Sequence, residues 1–151
     1  QKKFSKDKFK VFHPGGNIGK SLLLAKDIMV KGNKMPVIQL NKSFKEALKE
    51  MNKKKLGIVV IVKNKIIKGI VTDGDLRREI KNNSINNNLI NYTKKIPLVV
   101  NENMSADKAL ALCNEHKITS LLVVSDKDLN KKNKKLIGII HIHFLLQNGI
   151  K

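Results

Sequence analysis

The chain has 151 residues, 41% of them hydrophobic, which is enough for one ordinary domain or two small units sharing a core. Its apolar runs, such as residues 57–62, are too short to cross a bilayer as a helix, and the single cysteine, Cys113, excludes an intramolecular disulfide framework. The net charge of +19 raises nucleic acid as a partner, but the excess is lysine scattered over every segment, and five Phe, one Tyr and no Trp leave little for base stacking.

Sequence-related nucleic-acid binding is therefore not expected, only a general affinity for polyanions at low salt. The N-terminus is charged and lacks the apolar core of a secretory signal. With the cysteine usage of a reducing compartment, the expected location is cytoplasmic.

In chain order, the first 26 residues are basic, with "HPGGNIGK" leading into "SLLLAKDIM", an apolar segment expected to be helical. After Pro36 comes a short extended piece, Val37-Ile38. An amphipathic helix follows. Ser43 is its cap candidate, Glu46 completes a capping box, and Phe44, Ala47, Leu48 and Met51 share one face. Two β-rich runs, 57–63 and 66–71, are joined by the tight polar connection Lys63-Asn64-Lys65. A closing helix is predicted over about 73–82, and the polar stretch 82–91 reads as a linker.

The same grammar then repeats. Pro36 matches Pro97, Ala47-Leu48 matches Ala109-Leu110, residues 56–60 match 118–122, and Gly69-Ile70-Val71 matches Gly138-Ile139-Ile140. Ser105 is the second cap candidate, with Ala106, Ala109, Leu110 and Cys113 on the core face. Strands are expected at 119–125 and 136–140, and a helix at 143–148. The loop 126–135 between those strands is long, rich in Lys and Asn, and expected to be mobile. Each unit reads β-α-β-β-α and is too small to bury much surface alone. The expected fold is α/β (α+β), two such units packed sheet to sheet about a pseudo-twofold axis.

The junction "GIVTDGDLRR", residues 69–78, holds the densest candidate chemistry. Thr72 or Asp73 can cap the helix that starts there. Equally, a hydroxyl at Thr72 and a carboxylate at Asp75 beside helical N–H groups could hold a ribose diol and an anion. Arg77 and Arg78 are the only arginines in a lysine-rich chain, which hints that forked geometry matters. They could pair with Asp73, Asp75 or Glu79, or bind phosphate or carboxylate. In the second copy His141 stands at the place of Thr72 and Phe144 at that of Asp75. His141 and His143 could contact phosphate, carboxylate or base. With Cys113 and His116 they also include zinc-ligand types, but no zinc-finger spacing appears and no metal site is expected. Cys113 is expected to fill the core face of its helix.

In series, these motifs resemble a tandem CBS-domain pair, the cystathionine-β-synthase-type module. "FHPGGNIGKSLLLAKDIM" is similar to the junction between the sugar-isomerase (SIS) domain and the CBS pair in arabinose-5-phosphate isomerases of the KpsF/KdsD type. "GIVTDGDLRR", "LGIVVIV" and "HKITSLLVV" also resemble that family's CBS pair.

The resemblance implies residues 1–26 as an SIS remnant and linker, 27–85 as CBS domain 1, and 86–151 as CBS domain 2. It implies a regulatory fragment, inactive alone, of an enzyme interconverting ribulose 5-phosphate and arabinose 5-phosphate for Kdo and lipopolysaccharide synthesis. It also implies a nucleotide or sugar nucleotide, CMP-Kdo or an adenine nucleotide, in the inter-domain cleft. Thr72, Asp73, Asp75, Arg77, Arg78, His141 and His143 are the ligand-binding candidates, the Thr72 and Asp75 pair matching the family's Ser/Thr-x-x-Asp. His13 matches an isomerase active-site histidine whose companions would lie upstream. The other expected partners are the chain's own SIS domain and further copies of itself, with no membrane and no cofactor. A structural or oligomerisation module without a specific ligand is the alternative.

Overall fold

The computed structural model describes residues 22–93 and 98–151. His13, "HPGG" and Pro97 lie outside the described residues.

Each unit is a three-stranded mixed sheet with helices against it. In unit one, β1 (Val37–Gln39) runs parallel to β2 (Ile58–Lys63), which pairs antiparallel with β3 (Ile66–Thr72). In unit two, β4 (Val99–Asn101), β5 (Ser120–Val124) and β6 (Gly138–His141) repeat that order. The helices are α1 (Ala25–Ile28), α2 (Phe44–Lys54), α3 (Asp73–Lys81), α4 (Ala106–His116) and α5 (Ile142–Gln147).

Local chemistry sets these boundaries. The Ser43 hydroxyl accepts from the Glu46 amide at 3.3 Å while Glu46 Oε2 accepts from the Ser43 amide at 3.0 Å, the reciprocal box that starts α2. Ser105 caps α4 in one direction only, its hydroxyl accepting from the Lys108 amide at 3.3 Å. Both helices end on a lysine in the left-handed region, Lys55 (φ 61°) and Lys117 (φ 55°), so the repeat extends to the C-caps. Asn64 (φ 52°) and Lys65 (φ 68°) both hold positive φ, as a two-residue I′ hairpin requires for strands of right-handed twist.

Three apolar clusters form the interior. Phe44, Ala47, Met51, Val59, Ile61, Val71, Leu76 and Leu89 fill unit one. Ala25, Ala106, Ala109, Leu110, Cys113, Leu121, Val123, Ile140 and Leu145 belong to the larger cluster of unit two. Val60, Val62, Leu122, Leu136 and Ile139 join the two sheets face to face. Strands β2 and β5 are buried on both faces, which is why they read as continuous apolar runs. Cys113 lies on the core face of α4, and burial pushes its thiol pKa up.

Three expectations are corrected. "SLLLAKDIM" forms only one helical turn, Ala25–Ile28, because its ends are drawn into sheet-like pairing with unit two. Ala25 N–H donates to Met104 O at 2.7 Å, and Val30 exchanges both backbone bonds with Ile139. Residues 82–91 are not a free tether. Phe44 N–H donates to Asn87 O at 3.1 Å, Lys45 N–H to Ile85 O at 2.8 Å, and Leu89 is fully buried in unit one.

The loop 126–135 is pinned rather than loose. Asp128 pairs with Lys131 at 3.1 Å, and Lys65 O accepts from Leu136 N–H at 3.1 Å across the units. Each unit is thus completed by the segment that precedes the other, an exchange obeying the pseudo-twofold relation.

Gly69 and Gly138 admit those crossing segments. A Cβ on Gly69 would lie 2.2 Å from Tyr92 O, and one on Gly138 would lie 2.2 Å from Met29 Sδ. The shared "Gly-Ile-aliphatic" motif is therefore a packing requirement of the exchange.

Candidate functional site

Thr72 ends β3 and caps α3. Its hydroxyl accepts from the Asp75 amide at 3.2 Å, and Asp75 Oδ2 accepts from the Thr72 amide at 2.9 Å. Of the two cap candidates, the cap is Thr72; Asp73 is the first helical residue. The Asp75 carboxylate is buried, and its Oδ1 meets Arg78 Nη2 at 2.5 Å. Arg77 Nε pairs with Asp73 Oδ2 at 2.9 Å on the exposed side. Both arginines therefore make ion pairs within α3. Hydrogen bonding with Tyr92, then the charge of Asp75, raises the Arg78 pKa. Tyr92 also donates to Glu79 Oε1 at 3.2 Å, which ties the end of the linker to α3.

His141 caps α5 as Thr72 caps α3, but with a ring nitrogen: Nδ1 accepts from the His143 amide at 3.1 Å. The two imidazoles pack edge to face with centroids 4.6 Å apart. Burial first, then the neighbouring His143, lowers the His141 pKa, so the neutral ring that can accept the cap bond is favoured. Phe144 cannot return a bond as Asp75 does. No group of three or more metal-ligating side chains occurs among the described residues.

A cavity of about 650 Å³ opens where the two units meet. Unit one contributes Gly57, Ile58 and Ile70 with the Thr72-Asp73-Gly74 start of α3. Unit two contributes Leu98, Leu122 and the continuous stretch His116 to Ser120. Ile58, Ile70, Leu98, Ile118 and Leu122 give apolar surface suited to a flat ring. The start of α3 supplies the positive end of a helix dipole, and Lys117 a cation. The volume falls in the range of small-molecule sites.

Of the sequence candidates, Thr72 and Asp73 line this cavity. Asp75 sits directly behind them in the capping box, while Arg77, Arg78, His141 and His143 are not on its walls. The contribution of residues 116–120 escaped the motif reading. Its signal lay in the repeat: residues 57–58 align with 119–120, and a pseudo-twofold packing brings the two strand starts together.

A family model described as the CBS domain matches residues 25–82 and 90–143. This chain belongs to the CBS-domain family. The CBS pair is 38% identical over 148 residues to an uncharacterised Rickettsia prowazekii protein, covering 97% of this chain and 44% of that one. It is 37% identical to the Yersinia pestis arabinose 5-phosphate isomerase KdsD, again over 97% of this chain and 44% of the relative. The Escherichia coli K12 KdsD is 36% identical with the same coverage. The chain thus spans less than half the length of these relatives.

Among solved structures, CBSX2 in complex with AMP superposes with a TM-score of 0.69 at 22% identity, covering 83% of this chain and 95% of that one. The CBS domain of a bacterial CNNM/CorC family Mg2+ transporter in complex with ATP gives 0.69 at 16% identity, with 87% and 89% covered. At these identities the likeness establishes the fold alone: a tandem CBS pair. No helix among the described residues is long and apolar enough to cross a membrane.

Proposed function

We propose that this CBS pair is the regulatory part of a D-arabinose 5-phosphate isomerase and that its inter-unit cavity binds a nucleotide or sugar nucleotide. The cavity carries the reading. It spans both units, is apolar on two sides, and ends on the capped start of α3. That arrangement suits a base between Ile58, Ile70 and Leu122, with an anionic group toward the helix start. The KdsD relatives supply the enzyme, and the AMP and ATP complexes of structural neighbours supply the ligand class.

In this reading the parent enzyme converts ribulose 5-phosphate to arabinose 5-phosphate in the cytoplasm for Kdo and lipopolysaccharide synthesis. His13 belongs to its isomerase site, and the SIS domain and further copies of the chain are the partners. A ligand that prefers one arrangement of the two units shifts the attached enzyme between states by that difference in affinity. CMP-Kdo, which carries ribose, phosphate and carboxylate, is the proposed feedback ligand, and an adenine nucleotide the alternative. Calorimetric titration of AMP and CMP-Kdo into the 151-residue chain tests this. Saturable binding of either supports the proposal; no heat from either at millimolar concentration overturns it.

A second reading, an oligomerisation module, is favoured by two apolar side chains on the outer helices, Ile80 at 49% and Leu146 at 53% exposure. Sedimentation of Ile80→Lys and Leu146→Lys distinguishes it. Loss of self-association with ligand binding intact supports that role.

A further inference from the structure

We propose that unit one carries a second small-molecule site, separate from the inter-unit cavity, at the far ends of β1 and β2, and that it takes a phosphorylated sugar. The two units differ at this one place, although their backbones correspond residue by residue.

Gln39 and Asn101 hold the same register, opposite Val62 and Val124. Leu40 N–H bonds Val62 O at 2.9 Å as Glu102 N–H bonds Val124 O at 3.0 Å. The crossing segments correspond through the bridges of Ser43 with Asn88 and of Ser105 with Leu24. In unit two the place is closed. Asn101 Nδ2 donates to Asp126 Oδ1, and Asp126 N–H donates to Glu102 Oε2 at 3.2 Å. The crossing segment is held down there by Ala25 N–H to Met104 O at 2.7 Å and Lys26 N–H to Glu102 O at 2.9 Å. In unit one the segment turns away after Asn88. Ile90 N–H, the counterpart of Lys26 N–H, donates instead to Asn88 Oδ1 at 3.0 Å. The place that side chains fill in unit two is a cavity of about 670 Å³ in unit one, lined by Gln39, Leu40, Asn41, Lys63, Asn88 and Ile90.

Those side chains specify a chemistry. Each of the three carboxamides offers both donors and an acceptor, which matches hydroxyls that also do both. The walls hold a lysine and no carboxylate, so an anion is favoured, and lysine serves phosphate as a point charge. Leu40 and Ile90, the latter 54% exposed, give apolar surface for the C–H face of a sugar ring. The start of α2 is not the attraction, because the Phe44, Lys45 and Glu46 amides already bond Asn87 O, Ile85 O and Ser43 Oγ. Strand β2 has six residues, which puts Lys63 roughly 17 Å from Ile58 on the inter-unit cavity, too far for one sugar phosphate to fill both.

Glucose 6-phosphate, glucose and inorganic phosphate, each titrated into the isotope-labelled full chain and followed by amide NMR, test the proposal. Glucose 6-phosphate is expected to bind more tightly than either fragment and to shift the signals of residues 39–41, 63 and 88–90. Lys63→Gln should weaken it about tenfold and Ile90→Ala about threefold; both side chains are exposed, so the fold should survive. Lys108→Gln, which removes an exposed lysine of unit two, should leave binding unchanged. Binding unweakened by Lys63→Gln overturns the proposal. Equal losses in Lys63→Gln and Lys108→Gln, or phosphate binding as tightly as glucose 6-phosphate, overturn it in favour of diffuse attraction to a chain of charge +19. Shifts confined to residues 57–58, 72–74 and 116–120 overturn it in favour of the inter-unit cavity. No shift with any probe at millimolar concentration also overturns it, and each of these failures leaves the nucleotide reading standing.

Discussion

Thr72 and His141 occupy the same place in the two units and cap the same helix with different atoms. The hydroxyl of Thr72 belongs to a reciprocal box with Asp75; the ring of His141 works alone, because Phe144 replaces the carboxylate. Thr72→Ala should cost about 1 kcal/mol of stability, whereas Thr72→Ser should cost little; urea unfolding checks both.

His141 carries a pH dependence. Burial lowers its folded pKa, so below the ordinary imidazole value of about 6.5 the unfolded chain binds the extra proton more readily. Stability should therefore be full above about pH 6.5 and decline as pH falls toward the lowered folded value. His141→Asn keeps a capping side chain and should lose less stability than the original between pH 7.5 and 5.5, read from urea midpoints.

The glycines offer a sharper contrast. Gly69→Ala drives a Cβ into the backbone of Tyr92, and Gly138→Ala only into the flexible side chain of Met29. The first should destabilise by about 1–3 kcal/mol and the second by less, measured by thermal unfolding.

The same glycines lead to the elements. The segment 22–30 completes unit two and the segment 85–92 completes unit one, so neither unit holds all of its own core. Leu89→Ala should cost about 2–5 kcal/mol despite lying in an Asn-rich stretch, because Leu89 is fully buried among Phe44 and its neighbours. Chemical denaturation of the single variant checks this.

The repeat, the Ser43 and Ser105 caps, the tight hairpin connection and the six strands were legible, since each is written in local pattern: two-residue or 3.6-residue periodicity, or a cap at fixed spacing. The exchange was not. One leucine among asparagines has no periodicity, and a sheet-like bridge from Val30 to Ile139 depends on contacts more than a hundred positions apart. The pinned loop 126–135 was misread for the same reason, since its composition is that of a mobile loop and its anchors, Lys65 and Ile67, lie in the other unit. At the candidate site, Thr72 was legible through its Thr72-x-x-Asp75 pattern and Asp73 as a candidate beside it. The facing wall was not, because "HKITSLLVV" was legible only as part of the repeated scaffold and residues 116–120 show no binding pattern such as Thr72-x-x-Asp75.

At the scale of the whole molecule, sheet-to-sheet packing through Val60, Val62, Leu122 and Ile139 fixes the two strand starts against one another, and the cavity is the space left between them. A ligand there touches both units at once. Its binding energy acts on their relative placement, which is the property a regulatory module attached to an enzyme needs. The positive charge of +19 is spread along the chain and raises affinity for any anion, so specificity must come from shape and from placed groups rather than from charge alone.

The most direct test of the account is a crystal structure of the chain grown with saturating AMP. The account predicts the nucleotide in the inter-unit cavity, its base among Ile58, Ile70 and Leu122, and its phosphate between the start of α3 and Lys117. AMP bound elsewhere on the molecule, or an empty inter-unit cavity at saturation, would contradict it.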